Sequence, residues 1–420
     1  MGFLLGQGAI QAIGVLSSLL LVRRLSVDAY AQFGLAMAFQ AVFSTLMDLG
    51  FASTIVPLVG ERRGDAAVVG RYVRSAKHLR DTSFLLLAPC AAIAFLAAAH
   101  KQNWSWAVQL LLLASILLSL YSGGKFSYYS APLFIYGRLR EYYVPQVITG
   151  TGRLLAYAIL GLIGGLNSWV AAGLGALNIT FNGAWIARKG HALLKWPPKR
   201  DPSVDRELLR YILPASPAII FAAFQAQITV FLISIFGGEP LYIAQVAALG
   251  RISQLFAVLM TFNVIVIEPY CSRLKQEQLL GIYLKLTTLA VFGSAPVVLL
   301  AFRYPQAFLW ILGPKYANLG GDVGLVILAA CLNYIGGLIW IINRSRRWVF
   351  WSGSVLEVIL LLSTQLAFVL LVGIRNTREA VLLTVVSSLC SVVTHIYGTL
   401  YGFVKGATGL TDNSGRSATQ

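Results

Sequence analysis

Arg188-Lys189-Gly190-His191-Ala192-Leu193-Leu194-Lys195-Trp196-Pro197-Pro198-Lys199-Arg200-Asp201-Pro202 is the longest clearly polar interruption in an otherwise apolar chain. Before it lie apolar runs at 2–22, 31–59, 82–99, 106–136, 144–165 and 168–187. After it lie runs at 208–236, 241–268, 282–302, 321–342, 349–373 and 380–404. Roughly 20 apolar residues of helix cross a bilayer core, so the chain reads as an all-α integral membrane protein of about twelve transmembrane helices. The polar stretch is the connector. It divides the chain into a six-helix lobe at 1–187, a basic cytoplasmic linker at 188–206, a second six-helix lobe at 207–404 and a disordered cytoplasmic tail at 405–420.

Composition excludes the soluble alternatives. Charged residues make up 12% of the chain and hydrophobic ones 57%, where an ordinary soluble domain is about a quarter charged. The formal charge of +17 would suggest nucleic acid in a soluble protein, but here the cations lie mostly in short loops, and no nucleic-acid partner is expected. With both termini in the cytoplasm, the inner loops, whose cations include Arg71, Lys77, Arg80 and Arg344, hold roughly threefold more Lys and Arg than the outer ones. Cys90, Cys271, Cys331 and Cys390 are far apart and read as packing residues. The first residues lack the basic start of a cleavable signal, so the first helix is expected to be retained. All outer loops are short, which argues against a glycan polymerase with a large external loop.

Three cations sit deep in apolar runs: Lys125, Arg153 and Arg251. A charge at the bilayer centre costs roughly 2.5–3.5 kcal/mol on the insertion scale, so these side chains should face a cavity rather than lipid. Helical spacing puts Tyr121, Lys125, Tyr128 and Pro132 on one face, and Thr149, Arg153 and Tyr157 on another. Aromatic rings stack on sugars and cations hold phosphate oxygens; the alternative is a tyrosine stripe that only packs between helices. Gly123-Gly124 could bend the fourth helix. Asp48 and Glu357 either neutralise the cations or carry a coupling proton. Ser387, Ser391 and His395 form a further polar stripe, read as glue between helices. The chain contains no metal-spaced His/Asp cluster, no nucleophile elbow and no catalytic carboxylate pair, so no enzyme activity, metal or cofactor is expected.

Residues Gly8 to Ser18, Leu21-Val22-Arg23-Arg24-Leu25, Tyr30-Ala31-Gln32-Phe33-Gly34 and Asp48-Leu49-Gly50 resemble the opening of Wzx-type polysaccharide-biosynthesis flippases. These belong to the multidrug/oligosaccharidyl-lipid/polysaccharide exporter superfamily. Phe308 to Tyr316 is similar to the family's segment before helix ten, and Glu268-Pro269 to its end of helix eight. The resemblance implies two six-helix lobes around a central cavity that opens alternately to each side of the bacterial inner membrane. It also implies transport of an oligosaccharide linked to undecaprenyl diphosphate, for O-antigen, capsule or exopolysaccharide assembly. A polysaccharide polymerase and export proteins would be partners beside the membrane lipids. The family's diphosphate-binding arginine after helix one falls on Arg24, and one in helix eight on Arg251. Helix two departs from the pattern, offering Asp48 and no arginine within the span, a gap that Lys125 and Arg153 could fill. The rivals are a cation-coupled multidrug antiporter of the same superfamily, and a membrane-embedded glycan-assembly enzyme or scaffold.

Overall fold

The computed structural model describes residues 2–59, 64–196, 200–213, 216–236, 239–253, 256–272, 274, 276–346, 348 and 350–414. They are helical nearly throughout. The order is α1 (Gly2–Arg24), α2 (Val27–Asp48), α3 (Ile55–Val59), α4 (Ala66–Lys101), α5 (Trp106–Ile135), α6 (Leu139–Leu162), α7 (Ser168–His191), α8 (Pro202–Ile212), α9 (Ser216–Gln225) and α10 (Ile228–Phe236). Then follow α11 (Pro240–Ser253), α12 (Ala257–Phe262), a π-helical turn (Asn263–Ile267), α13 (Glu268–Ser272), α14 (Gln276–Arg303) and α15 (Pro305–Leu312). A 3₁₀ segment (Pro314–Leu319), α16 (Gly320–Ser345), α17 (Trp351–Leu371) and α18 (Thr377–Ser414) complete the chain.

Among the described residues, eight helices are long and apolar enough to cross a membrane, or nine when α9 and α10, bent by 53°, count as one span. The less apolar α2 and α6 and the broken series α11–α13 stand where spans two, five and eight are expected. Two compact units result, Met1–Ala247 and Ala248–Gln420. Their division falls inside α11, well beyond the polar connector.

Local chemistry explains where the helices differ from the hydropathy reading. The second helix does not run on to residue 59: Leu49 (φ 42°) and Gly50 (φ 87°) turn left-handed after Asp48, and the Leu49 N–H closes on the Thr45 carbonyl at 2.8 Å. Conversely, the expected basic loop at 61–81 is helical from Ala66. Asp65 caps the Ala67 N–H at 2.8 Å, Lys77 pairs with Asp81 at 2.9 Å, and α4 reaches about 54 Å, longer than a bilayer core needs. α5 runs through Gly123 and Gly124 as one continuous helix. The last helix continues to Ser414, through part of the segment expected to be a disordered tail.

The connector is fastened to the first unit. Trp196 packs 5.1 Å from His191 and 6.2 Å from Tyr129 between ring centroids, and the Lys195 N–H donates to the Ala66 carbonyl at 3.3 Å. The expected seventh helix, 208–236, is three helices. Its first residues belong to the amphipathic α8, capped by Asp201 with Pro202 at its first position. Val204, Leu208 and Ile212, four residues apart, are buried among Ile55, Val69, Tyr72 and Ile186, and the Tyr72 hydroxyl donates to Glu207 at 2.7 Å. Pro214, between α8 and α9, lies outside the described residues.

In the second unit α16 and α18 pack closely. Asn343 Nδ2 donates to the His395 carbonyl at 3.0 Å, and the Thr399 hydroxyl donates to Asn343 Oδ1 at 2.8 Å. Gln365 Nε2 of α17 donates to the Ser387 hydroxyl at 3.0 Å, so this part of the polar stripe on α18 does join helices.

The Asp201 carboxylate accepts from the Ser203 N–H and hydroxyl, at 3.0 and 2.6 Å, which holds its pKa below the usual Asp range. A depressed carboxylate stabilises the fold above its unfolded pKa, near 4, and that contribution disappears as pH falls through the folded value. Amide exchange across 202–212 should therefore be faster in Asp201→Ala than in wild type at pH 7, with the difference vanishing as pH falls through the folded pKa of Asp201. Equal exchange at pH 7 would remove the cap from this account.

Candidate functional site

Within Met1–Ala247 the polar centre is built where α2, α4, α5 and α7 approach one another. Gly183 and Gly190 of α7 make this possible: a Cβ there would stand 2.7 Å from the Ser122 carbonyl oxygen and 2.5 Å from that of Tyr129. On the other side of α5, Gly124 lies flush against Arg80 of α4, whose Cγ would be 3.3 Å from an added Cβ. Arg80 is 2% exposed, and its guanidinium donates to the Leu120 carbonyl at 2.8 Å. One turn on from Gly124, the Ser127 hydroxyl donates to Asp48 Oδ2 at 3.1 Å, and Arg80 is the cation that acts on the Asp48 carboxylate.

Arg80 was assigned above to an inner loop, as a topology signal. It is instead a buried interhelical charge, missed because the loop around it is really helix. The signal in the sequence is Gly124, whose missing side chain provides the space for the guanidinium stem.

The aromatic positions divide. Tyr128 is 2% exposed, 4.8 Å from Tyr129 between centroids and part of the hydrophobic cluster with Tyr72 and Leu208, so it packs between helices. Tyr157 is equally buried and its hydroxyl donates to the Ala171 carbonyl at 2.9 Å, tying α6 to α7. Tyr121 is 46% exposed and carries Lys125 Nζ 4.4 Å above its ring centroid. Arg153 Cζ lies 5.9 Å from the Tyr157 centroid, and its buried Nε has no hydrogen-bond partner. Arg24 is exposed at the end of α1, its stem against Gly161 of α6.

The other two positions belong to Ala248–Gln420. Arg251 is half-buried on α11. Glu357 of α17 joins a cluster with α18: the Ser391 hydroxyl donates to Glu357 Oε1 at 3.2 Å and lies 3.3 Å from His395 Nε2, itself 4.0 Å from Glu357. Trp340 of α16 covers the imidazole at 5.4 Å between centroids. Glu268 and Arg344, assigned above to a helix end and a loop, form a two-pronged ion pair at 2.8 and 2.5 Å. Among the described residues no cluster of His, Cys, Asp or Glu could hold a metal ion.

Removing the Arg80 side chain leaves the Leu120 carbonyl without its donor and Asp48 without its neighbouring cation. Arg80→Ala should lower stability by about 1–3 kcal/mol, while the exposed Arg71→Ala stays within about 1 kcal/mol of wild type. Thermal unfolding of the purified protein in detergent checks both, and equal effects would return Arg80 to the surface.

No protein-family model matches the chain, and no curated protein matches it in sequence. Solved structures do match, over nearly the whole length. The lipid II flippase MurJ in an inward closed conformation superposes with a TM-score of 0.69 at 12% identity, covering 96% of this chain and 88% of MurJ. A MATE transporter in complex with MaD3S gives 0.63 at 13% identity, covering 96% and 94%. The MATE multidrug transporter DinF-BH in complex with R6G gives 0.60 at 16% identity, covering 95% and 93%. The chain therefore has the fold that MurJ and these MATE transporters share.

Proposed function

We propose that the chain is a flippase that carries an undecaprenyl-diphosphate-linked oligosaccharide across the bacterial inner membrane by alternating access, for O-antigen, capsule or exopolysaccharide assembly. Residues 1–187 and 207–404 act as its lobes and 188–206 as their connector. Both termini are cytoplasmic, and a polymerase and export machinery receive the product. One observation carries the reading: Lys125 and Arg153 are fixed cations within the spans, and neither has a carboxylate within 4.0 Å among the described residues. An anionic ligand supplies the missing charge.

A diphosphate suits these groups. Arg153 offers a planar fork to phosphoryl oxygens and Lys125 a mobile point charge. The ring of Tyr121, partly exposed beside Lys125, presents an apolar face to a sugar. Arg24 and Arg251 are further candidates for the anion, while Tyr128 and Tyr157, buried in packing roles, act by holding α5 and α6 in place. Asp48 and Glu357 either carry a coupling proton or balance charge.

A second reading, a cation-coupled multidrug antiporter, is favoured by the Glu357–Ser391–His395 cluster, because an organic cation would seek a half-buried carboxylate. The readings separate by binding. Purified protein should bind undecaprenyl diphosphate, and Lys125→Ala and Arg153→Ala should each weaken binding about 10- to 100-fold, the worth of one hydrogen bond to a charged group. Glu357→Gln should leave that binding unchanged and, if Glu357 couples transport, remove only the dependence on the proton gradient. Full binding by both cation variants would sink the assignment.

A further inference from the structure

α8 leaves one side uncovered. Its apolar residues Val204, Leu208 and Ile212 lie in the core of the first unit, so the helix cannot use them to enter a bilayer as a surface helix would. The other side carries Arg206 and Arg210, exposed and one turn apart, and the helix ends on Tyr211 and Leu213, 53% and 62% exposed. Neither arginine has a carboxylate within 4.0 Å among the described residues. The acids of this segment are already engaged: Asp201 accepts from the Ser203 N–H, Asp205 pairs with Arg200, and Glu207 accepts from the Tyr72 hydroxyl.

Covalent geometry limits where this side can be. Ser216 begins α9, the first arm of the bent span, and the chain from Ile212 to Ser216 reaches at most about 14 Å. The C-terminal end of α8 is thereby tethered to the membrane boundary, with Arg206 only about 6 Å of helix rise behind Arg210. The head-group layer of a leaflet is roughly 5–8 Å thick. An arginine stem spans a comparable length and carries its guanidinium to that layer. Tyr211 suits the same depth, because its ring is apolar and its hydroxyl can stay in water.

We propose that Arg206 and Arg210 bind the phosphodiester of an anionic glycerophospholipid in the leaflet on the connector's side of the membrane, with Tyr211 beside its glycerol. Two cations without partners prefer a head group of net negative charge to a zwitterionic one, whose own ammonium competes for the phosphate. The tether favours a lipid over an acidic protein or free phosphate, because the leaflet presents phosphodiesters at the end of α8 whatever else is present. The site is independent of the cations Lys125 and Arg153. It fastens the connector helix to the membrane surface and carries no cargo.

The test reads which lipid lies beside α8. Full-length protein with a photoreactive benzophenone amino acid in place of Tyr211 is held in nanodiscs of equal parts phosphatidylglycerol and phosphatidylcholine, matched in chain length. After irradiation the adducts at that position are identified by mass spectrometry. An arginine at an anionic surface favours it about fivefold, so phosphatidylglycerol adducts should exceed phosphatidylcholine adducts at least fivefold. Arg206→Gln combined with Arg210→Gln should bring the ratio near one. Arg138→Gln, whose cation is already paired with Glu141, should leave it unchanged, as should excess inorganic phosphate. Equal adducts with both arginines intact, or no lipid adduct at all, would overturn the proposal. So would loss of the preference in phosphate, which would make this a free-phosphate site, or in Arg138→Gln, which would make it a property of the whole surface. The same probe irradiated in native membranes should again yield lipid adducts, and a protein adduct in their place would overturn the choice of occupant.

Discussion

A charge carried into a bilayer must end against protein, and the first unit is arranged around one such charge. Arg80 packs flush against Gly124 and is held there by donating to the Leu120 carbonyl beside Asp48. The close approach of α7 to α5 at Gly183 and Gly190 completes the same centre from the other side. Helices can come this near only at small residues, since lipid provides no hydrophobic drive between them and packing has to supply the attraction. The exposed end of this centre carries Lys125 over Tyr121, the pair that a negatively charged ligand would meet.

The connector shows the same economy outside the membrane. A free hinge would leave Trp196 and the apolar side of α8 in water. Instead Trp196 lies against Tyr129, and Val204, Leu208 and Ile212 enter the core of the first unit. The connector is thereby part of the first unit's core.

Hydropathy made the span order legible because membrane thickness sets helix length directly: α5, α16 and α17 lie within a few residues of their expected bounds. It failed where polarity and helicity part company. Residues 66–81 are basic and helical at once, so Arg80 looked like a loop cation. α8 carries its signal in the open, an Asp201-Pro202 start and apolar residues four apart, but the longer apolar run behind it masked that pattern. The site was half legible. Periodicity placed Tyr121 beside Lys125, but it could not separate Tyr121 from Tyr128, because one face of a helix can be partly core and partly exposed.

Fold alone leaves a lipid flippase and a drug transporter equally open, and the proposed function rests on the balance of charge in the spans. Lys125 and Arg153, which have no carboxylate partner among the described residues, favour an anion, and that preference can be read without any variant. Purified protein in liposomes, given an undecaprenyl-diphosphate-linked oligosaccharide on one face, is assayed for its appearance on the other, with uptake of the organic cation R6G measured in parallel. The account predicts translocation of the lipid-linked sugar and no cation uptake above protein-free liposomes. Cation uptake driven by a proton gradient, with the sugar lipid left on its original face, would contradict it.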